Sequence, residues 1–316
     1  MRRSRRKKPK SITLYYCNVN GIKSKQTSLK QIIEQIEPKI VVFCETKLPS
    51  DSILKNLLPG YAVNGRPTKG GQSGIAIAVK GQTFLSVLDV TDTKHKDIVV
   101  TRIQLNHWCA ARVILGYAPQ ETEKVEVREQ FFTELEIEIT RCKSEGDIPI
   151  LVGDMNAKLE KLSNEVNAVT PNGKLLLEMI NNHELNVLNF DEKCSGQWTH
   201  VIRTTGAASV LDYVAVSKDI LEQVKDVIID EKCTLCPFGV KKKKGNLMPQ
   251  YSDHNAIVVR FEIALNNKKE HKQESWRMSD KGLEMFNQIT SGSDFPTEVE
   301  GENGEEKDST GIPKIN

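Results

Sequence analysis

Ile148-Pro-Ile-Leu-Val-Gly-Asp-Met-Asn156, near the middle of the 316-residue chain, is the stretch from which the fold can be worked out. Its apolar residues are mostly β-branched, which predicts a short buried β-strand. Gly153 can adopt backbone angles that other residues avoid, so the chain can turn there and bring Asp154 and Asn156 out together at the strand's end. A strand followed by an ordinary Asx turn would have the same sequence, and this stretch alone leaves both interpretations open.

Composition indicates a soluble globular protein. Hydrophobic residues make up 38% of the chain, and no apolar run reaches the roughly 20 residues needed to cross a bilayer. The first ten residues contain seven Lys or Arg and lack the apolar segment of a signal peptide, so secretion is not expected. Seven dispersed cysteines, an odd number, indicate a reducing compartment. Cys233 and Cys236 lack a second Cys pair or a nearby His pair, which disfavours a zinc site.

Charge is unevenly distributed and divides the chain into three parts. The net charge is +2, and because residues 1–10 contribute +7, the remaining residues carry −5. We therefore predict a disordered basic arm over 1–10, an enzyme domain over 11–265, and a largely disordered polar linker and acidic tail over 266–316. The basic arm is typical of nucleic-acid binding or nuclear import, although a merely solubilising terminus would look the same.

The first part of the chain predicts a strand-helix-strand unit followed by several strands. Ser11–Cys17 is a predicted strand that ends in Asn18 and Asn20, and Ile40–Cys44 is a second strand that ends in Glu45. Apolar residues at helical spacing separate them. A short helix near 51–58 precedes predicted strands over 61–64, 73–79, 84–90, 98–105 and 110–117. Gly and polar turns between these strands suggest an antiparallel sheet.

The second part alternates helices and strands. It predicts a helix over about 122–142, and a later helix around 173–180 with Asn172 as its N-cap. Further strands are predicted over 185–188, 197–200, 209–216 and 256–263, with a basic loop over 241–246. Asp212 lies inside an apolar strand, and a buried carboxylate is costly unless it is paired. Asp212 therefore needs a partner.

Eight polar residues follow or interrupt predicted buried strands across more than 230 residues of sequence. They are Asn18, Glu45, Tyr117, Asp154, Asn156, Asp212, Asp253 and His254. Each alone has an ordinary explanation, such as a satisfied core histidine or a surface carboxylate. Together they are the groups that a metal-dependent phosphodiester hydrolase needs. Carboxylates favour a hard cation such as Mg²⁺ over zinc.

Six short motifs occur in order: Asn18-Val-Asn-Gly21, Glu45-Thr46, Gly116-Tyr-Ala-Pro119, Gly153-Asp-Met-Asn156, Leu211-Asp-Tyr213 and Ser252-Asp-His254. This series resembles the endonuclease/exonuclease/phosphatase superfamily, and most of all the apurinic-like endonuclease domain of non-LTR retrotransposons. The resemblance covers about residues 11–264. It implies an α+β fold, a four-layer α/β/β/α sandwich of two mostly antiparallel sheets with outer helices.

The resemblance also implies roles for single residues. Asp154 would orient or deprotonate the attacking water, and Asn156 would hold a phosphate oxygen. Asp212 would pair with His254 and keep its imidazole cationic, while Tyr117 would hydrogen-bond the phosphate or the leaving oxygen.

The implied cofactor is Mg²⁺, with Mn²⁺ as an alternative. Glu45, with Asn18 beside it, resembles the metal-binding position, and Asp253 would contribute from the opposite wall. Residues expected to contact nucleic acid are Asn20, Lys241, Lys242, Lys243 and Lys244. Asn20 stands where repair-type members often have Asp.

The predicted function is nicking of DNA to leave a 3′-hydroxyl and a 5′-phosphate. In a retrotransposon that 3′ end would prime reverse transcription, so a reverse-transcriptase domain and element RNA are expected partners beside DNA. We expect the protein to be nuclear and monomeric and not to bind a membrane. A small-phosphoester hydrolase of the same superfamily and an inactive nucleic-acid-binding or protein-binding relic are the alternatives. Loops near 69–73 and 203–209 are candidates for target recognition, and Trp198 belongs either to the core or to a wall facing DNA.

Overall fold

Two β-sheets stacked face to face form the centre of this computed structural model. The structure describes residues 10–68, 72–81, 85–91, 93–106, 109–159, 169–243 and 246–263. All of them belong to one compact unit, Met1–Asn267. Residues 1–9 of the predicted disordered arm 1–10, the predicted linker and tail 266–316 and part of the predicted loop 69–73 lie outside the described residues. Lys10, predicted as the end of the arm, begins the first strand.

The first sheet has seven strands. They are β1 (Lys10–Asn18), β2 (Ile40–Cys44), β3 (Tyr61–Arg66), β4 (Ile75–Lys80), β10 (Cys194–Ser195), β14 (Val224–Ile229) and β17 (Ile257–Ile263). Their spatial order is β10-β14-β17-β1-β2-β4-β3. The last strand of the described chain therefore lies next to the first, inside the sheet.

The second sheet has six strands. They are β5 (Ser86–Thr91), β6 (Ile98–Asn106), β7 (Cys109–Tyr117), β8 (Ile148–Asp154), β9 (Leu185–Val187) and β13 (Asp212–Ser217). Their order is β5-β6-β7-β8-β13-β9. In both sheets most neighbouring strands run antiparallel, but β1 with β2, β10 with β14 and β7 with β8 run parallel.

Helices cover the outer faces of both sheets. Helices α1 (Gln26–Ile36) and α2 (Ser52–Leu57) pack on the first sheet, and α3 (Val125–Ser144) and α4 (Pro171–Asn182) pack on the second. A 3-10 helix (Leu188–Phe190) and a short helix α5 (Lys218–Leu221) flank β13. Of the helices that the structure describes, none is long and apolar enough to cross a membrane.

Side-chain alternation along the strands divides the core into layers. Ile12, Leu14 and Tyr16 of β1 point between the sheets, whereas Tyr15 and Cys17 point toward the outer helices. A third apolar cluster lies between the second sheet and α3 and α4. The four-layer α/β/β/α sandwich is thereby confirmed.

The antiparallel pairing predicted over 61–117 is confirmed for β3 with β4 and for β5, β6 and β7, but these strands do not form one sheet. β3 and β4 extend the first sheet beside β2, while β5, β6 and β7 begin the second. Turn-rich sequence marks where strands end but carries no information about which sheet each strand joins.

Two predicted strands are also wrong in extent. Of the predicted strand 197–200 only His200 is in a strand, β11 (His200–Val201), because the backbone N–H groups of Gln197 and Trp198 both donate to the Glu231 side chain. The predicted strand 209–216 splits into β12 (Ala208–Ser209) and β13, since the Leu211 and Asp212 N–H groups donate to Thr199 Oγ1 instead of to a strand.

Two further local predictions are corrected. Asn172 lies inside α4, and its predicted N-cap role belongs to Thr170, whose Oγ1 accepts from the Gly173 N–H at 3.2 Å. The predicted basic loop 241–246 is largely a β-hairpin of β15 (Phe238–Lys243) and β16 (Asn246–Tyr251). Lys241, Lys242 and Lys243 are on β15, and Lys244 lies outside the described residues.

Gly153 is required where β8 passes β7. Its φ is 152°, and a Cβ there would lie 1.9 Å from the Gly116 carbonyl oxygen. No flexible side chain can relieve that clash, because the neighbouring atom belongs to the backbone of the adjacent strand.

Gly153→Ala should therefore lower the free energy of unfolding by at least about 3 kcal/mol, measured by urea denaturation. Gly146→Ala is the matched control. Gly146 also has positive φ, 74°, but open space around its Cβ position, so its loss should be limited to about 1 kcal/mol. Equal losses for the two variants would contradict the backbone clash as the cause.

Candidate active site

The strand directions collect polar residues at one edge of the sandwich. Because β1 and β2 run parallel, Asn18 is level with Cys44, the residue before Glu45. Because β7 and β8 run parallel, Tyr117 is level with Asp154. The antiparallel β13 begins at this edge, and its first residue, Asp212, pairs with Asp154. Residues separated by up to 194 positions in the sequence are thereby brought to one place.

His254 reaches the same edge from the segment before β17. Its Nδ1 lies 2.7 Å from Asp212 Oδ2, which gives the buried carboxylate the partner that its sequence position requires. The Tyr16 hydroxyl donates to Asp212 Oδ1 at 2.5 Å. His254 Nε2 faces Asp154 Oδ2 at 3.8 Å. The imidazole is thus placed between two carboxylates.

Electrostatics at this position favour a cationic imidazole. Burial lowers the pKa of His254, but the carboxylates of Asp212 and Asp154 outweigh burial and raise it to about 10. Burial and the nearby Asp212 raise the pKa of Asp154 to about 7, against the opposing effect of His254. His254 is therefore charged at neutral pH, and Asp154 has the proton affinity of a general base that works near neutrality.

Asn18 holds two acids together. Its Nδ2 donates to Glu45 Oε1 at 3.1 Å and to Asp154 Oδ2 at 3.0 Å. The Tyr117 hydroxyl also donates to Glu45 Oε1, at 3.2 Å. Burial and the charge of Glu45 raise the pKa of Tyr117 well above its usual value, so Tyr117 is a neutral donor.

Asn156 lies beside Asp154 in a left-handed backbone conformation with φ of 42°. Its N–H donates to Asp154 Oδ1 at 3.0 Å, and its Nδ2 donates to the Ala118 carbonyl at 2.8 Å. The Asn172 amide fixes this turn by donating to the Asn156 carbonyl at 3.1 Å. An amide nitrogen has two hydrogens, so Asn156 retains one donor for a bound anion.

Asp253 contacts Asn20 and His200. Asn20 Nδ2 donates to Asp253 Oδ1 at 3.3 Å, and His200 Nε2 is 3.6 Å from Asp253 Oδ2. The interaction with His200 lowers the pKa of Asp253. Asp253 is grouped with His200 and His254, whereas Glu45 is grouped with Asp154 and His254. The structure thus brings Asn18 to Glu45 and leaves Asp253 in a separate group of potential ligands.

Two lysines that sequence reasoning missed hold the Asn18–Gly21 turn. Lys47 Nζ is 3.0 Å from Glu45 Oε2 and donates to Asn20 Oδ1 at 2.6 Å. The buried Lys25 amine donates to the carbonyl oxygens of Val19 and Asn20, and burial lowers the pKa of this amine. The sequence offered one signal for Lys47, its position two residues after the predicted site acid Glu45. It offered no signal that Lys25 is buried.

His200 and Thr199 were also missed. The His200 ring packs edge-on against the His254 ring at 4.8 Å between centroids. Thr199 Oγ1 accepts from the N–H groups of Leu211 and Asp212 at 3.0 Å each. Thr199 lies in irregular backbone and His200 in a strand of two residues, and neither gives a signal in the periodicity of the sequence. Trp198 packs against the apolar cluster between the second sheet and its helices, which supports the core interpretation.

The donor set fits a hard divalent cation. One ligand atom from each of Glu45, Asp154 and His254 lies within 4.8 Å of the others. Because a cationic imidazole has no free lone pair, the oxygen ligands of the two acids are the suitable ones, and carboxylate oxygens are what Mg²⁺ prefers. The Glu45 side chain is 17% exposed against 3% for Asp154, which makes Glu45 the more accessible ligand.

Comparison with known proteins agrees with this geometry. The sequence profile of the endonuclease/exonuclease/phosphatase family matches residues 16–254. None of the curated proteins compared with the chain matches it.

Solved structures share the fold at low sequence identity. An AP endonuclease from Archaeoglobus fulgidus is 18% identical with a TM-score of 0.60, over 80% of this chain and 100% of that one. The endonuclease domain of TRAS1, a telomere-specific non-LTR retrotransposon, is 18% identical with a TM-score of 0.57, over 81% and 100%. The 3′-5′ exonuclease NExo from Neisseria meningitidis is 17% identical with a TM-score of 0.62, over 79% and 100%.

Tyr16→Phe should lower the free energy of unfolding by about 1.5–3 kcal/mol, because it removes a hydrogen bond to a buried carboxylate. Tyr213→Phe is the control, since the equally buried Tyr213 hydroxyl lies within hydrogen-bonding distance of neutral carbonyls only, 2.9 and 3.0 Å away. That change should cost about 1 kcal/mol. Urea denaturation measures the free energy of unfolding of both variants. If Tyr16→Phe loses no more stability than Tyr213→Phe, the charge of Asp212 does not strengthen the hydrogen bond from Tyr16.

Proposed function

The chain belongs to the endonuclease/exonuclease/phosphatase family, and from this premise we propose that it is a metal-dependent endonuclease that nicks DNA. Members of the family are metal-dependent phosphoesterases. One observation carries the proposal: the His254 imidazole lies between Asp212 and Asp154, beside the Glu45 and Asn18 pair. This arrangement offers a cation for a phosphate, a base for water and oxygen ligands for a metal.

In the proposed reaction a water molecule attacks the phosphorus atom of a phosphodiester and the P–O3′ bond breaks. Asp154 accepts the proton of the water, which its raised pKa favours. His254, held by Asp212, faces the phosphate oxygens as negative charge builds on them. The leaving O3′ takes up a proton from solvent and becomes a 3′-hydroxyl, and the phosphate remains on the 5′ oxygen of the next nucleotide.

Two neutral donors complete the proposed phosphate site. The remaining amide hydrogen of Asn156 would donate to a phosphate oxygen, and the Tyr117 hydroxyl would donate to the phosphate or to the leaving oxygen. A bound Mg²⁺ or Mn²⁺ would be held by Glu45 with Asn18 beside it and would supply positive charge to the phosphate, whereas Asp253 is grouped with His200 and not with Glu45.

Duplex DNA is the substrate that the charge distribution supports best. Three of the four lysines over 241–244 are on β15, whose partner strand β16 ends at Tyr251, one residue before the Ser-Asp-His motif. With Asn20, they would contact nucleic acid. Structures similar to this chain include the TRAS1 endonuclease domain and NExo bound to a product DNA hairpin.

We further propose a target-nicking role in a non-LTR retrotransposon. The 3′-hydroxyl would then prime reverse transcription, with a reverse-transcriptase domain and element RNA as partners in the nucleus. The enzyme would act as a monomer.

The purified protein should convert supercoiled plasmid to open circles with Mg²⁺, and EDTA should abolish the conversion. Asp154→Asn and His254→Gln should each lower the nicking rate by at least about 100-fold, since each removes a charged group from the proposed reaction. Circular dichroism checks that both variants fold.

Asp219→Asn and His183→Gln serve as matched controls on α5 and at the end of α4, and should nick like the wild type. Full nicking by Asp154→Asn would contradict the proposed base. Release of inorganic phosphate from small phosphoesters without nicking would instead favour a small-phosphoester hydrolase. DNA binding with neither activity would favour a binding relic.

Binding to duplex DNA should weaken steeply as salt increases, because lysines that bind phosphates release counterions. Lys241→Gln, Lys242→Gln and Lys243→Gln in combination should reduce the slope of log K against log salt by about one for each phosphate that the variant no longer neutralises. Fluorescence anisotropy measures the slope.

The matched triple control changes exposed lysines of α3, α4 and α5, in Lys143→Gln, Lys174→Gln and Lys218→Gln. The control has the same net charge as the test variant. Equal slopes for the two triple variants would show that the β15 lysines do not bind the phosphates.

A further inference from the structure

His200, Asp253 and His254 form a cluster of two imidazoles and one carboxylate. One potential ligand atom from each residue lies within 4.8 Å of the other two. His200 Nε2 is 3.6 Å from Asp253 Oδ2, and the two imidazole rings pack edge-on with 4.8 Å between their centroids. The reaction proposed above uses His254 but gives no role to the pair of His200 and Asp253.

The backbone brings the two histidines together. Segments 199–201 and 253–255 meet in an antiparallel bridge that pairs His200 with His254. Two backbone hydrogen bonds of 2.7 Å, one on each side of this pair, join the segments. Such a pair has no hydrogen bond of its own, and its side chains lie closest together. The cluster is therefore assembled by the fold before any ligand binds.

Each imidazole is held through Nδ1 and leaves Nε2 for a ligand. His254 Nδ1 is 2.7 Å from Asp212 Oδ2, and His200 Nδ1 is 3.3 Å from Ser209 Oγ. Histidines that bind a metal almost always engage their other ring nitrogen in this way, because it orients the ring and makes the metal-binding nitrogen more basic. Both rings thus have the support that a metal ligand requires.

Asp253 is held in the same manner. Its Oδ1 accepts from Asn20 Nδ2 at 3.3 Å and from Ser252 Oγ at 3.4 Å, so Oδ2 is the oxygen that faces His200. The Asp253 side chain is 45% exposed, and an ion bound there would remain in contact with water. Two imidazoles, one carboxylate and a water are typical ligands of Zn²⁺, whereas Mg²⁺ prefers oxygen ligands.

We propose that His200, Asp253 and His254 bind Zn²⁺ and that the bound zinc inhibits nicking. Ligand atoms of a tetrahedral zinc lie roughly 3.3 Å apart, which the 3.6 Å between His200 and Asp253 nearly meets. His254 must move toward this pair and exchange its Nε2 proton for the ion, and the proton passes to water. The Asp212 carboxylate that stabilises a protonated imidazole also stabilises one that holds a dication.

Zinc on His254 would disable the proposed phosphate site. It removes the Nε2 hydrogen that faces the phosphate, and it shifts the ring from its position 3.8 Å from Asp154 Oδ2. Since a misplacement of about 1 Å in a catalytic group can cost 100-fold in rate, we expect nicking to fall at least about tenfold. This consequence rests on the proposed nuclease function, whereas zinc binding itself does not.

Calorimetric titration with Zn²⁺ in excess Mg²⁺ should show a site that His200→Gln weakens at least about 100-fold, because losing a group that only orients a ligand already costs 10- to 100-fold. Asp253→Asn changes a more exposed residue and should weaken the site as well. His183→Gln is the matched control, since His183 Nε2 also lies near a carboxylate, 3.3 Å from Glu136 Oε1. It should bind zinc like the wild type.

Co²⁺ in place of Zn²⁺ should give visible absorption bands without the near-ultraviolet charge transfer of thiolate ligands. Zinc affinity that is equal in the wild type, His200→Gln and Asp253→Asn, or thiolate bands that persist in all of them, overturns the proposed site. Circular dichroism checks that the variants fold.

Nicking with Mg²⁺ should be compared with and without Zn²⁺ for each protein, so that differences in basal rate cancel. The wild type and His183→Gln should be inhibited, whereas the ratio of the two rates should stay near one for His200→Gln. Equal inhibition of His200→Gln would show that zinc acts elsewhere, as by displacing Mg²⁺, and overturns the inhibitory role. If the wild type does not nick with Mg²⁺ alone, the nuclease proposal fails, while the titrations still decide the zinc site.

Discussion

A cationic imidazole between two buried carboxylates joins the two sheets of this protein. His254 comes from the segment before a strand of the first sheet, whereas Asp212 and Asp154 belong to the second. The exposed fractions of these residues are 5%, 0% and 2%, so solvent screens their charges only weakly. Removing one partner from such a group leaves an uncompensated buried charge, which is strongly destabilising. The two sheets can therefore stack with these groups buried only in a register that brings the imidazole to both acids.

The turns around this edge share an unusual backbone. Asn20, Glu45, Lys47 and Asn156 all have positive φ without being glycine. Such conformations cost energy and persist where surrounding interactions hold them. Here the Asn18 and Asn172 amides and the Lys25 and Lys47 amines supply those interactions. The local strain allows each strand to turn its terminal polar side chain toward a common centre instead of toward solvent.

Prediction from the sequence was most successful for strands and residues whose burial can be inferred from their apolar neighbours. Runs of apolar and β-branched residues located β1, β2 and β8, and the cost of burying Asp212 correctly predicted that this carboxylate has a partner. The division of strands between two sheets could not be predicted, because it depends on pairing between residues distant in the sequence. The strand β14 was missed since Lys225 and Asp226 interrupt its apolar pattern.

The central position of β17 has a consequence for how the chain folds during synthesis. This strand, the last that the structure describes, pairs with both β1 and β14 in the interior of the first sheet. Its pairing with β1 spans about 240 residues, and pairings of such high sequence separation form slowly. While the nascent chain lacks β17, β1 and β14 each expose an unpaired edge that is prone to wrong pairing. His254 directly precedes this strand, so a nascent chain that ends before His254 would contain Asp154 and Asp212 without the imidazole that lies between them.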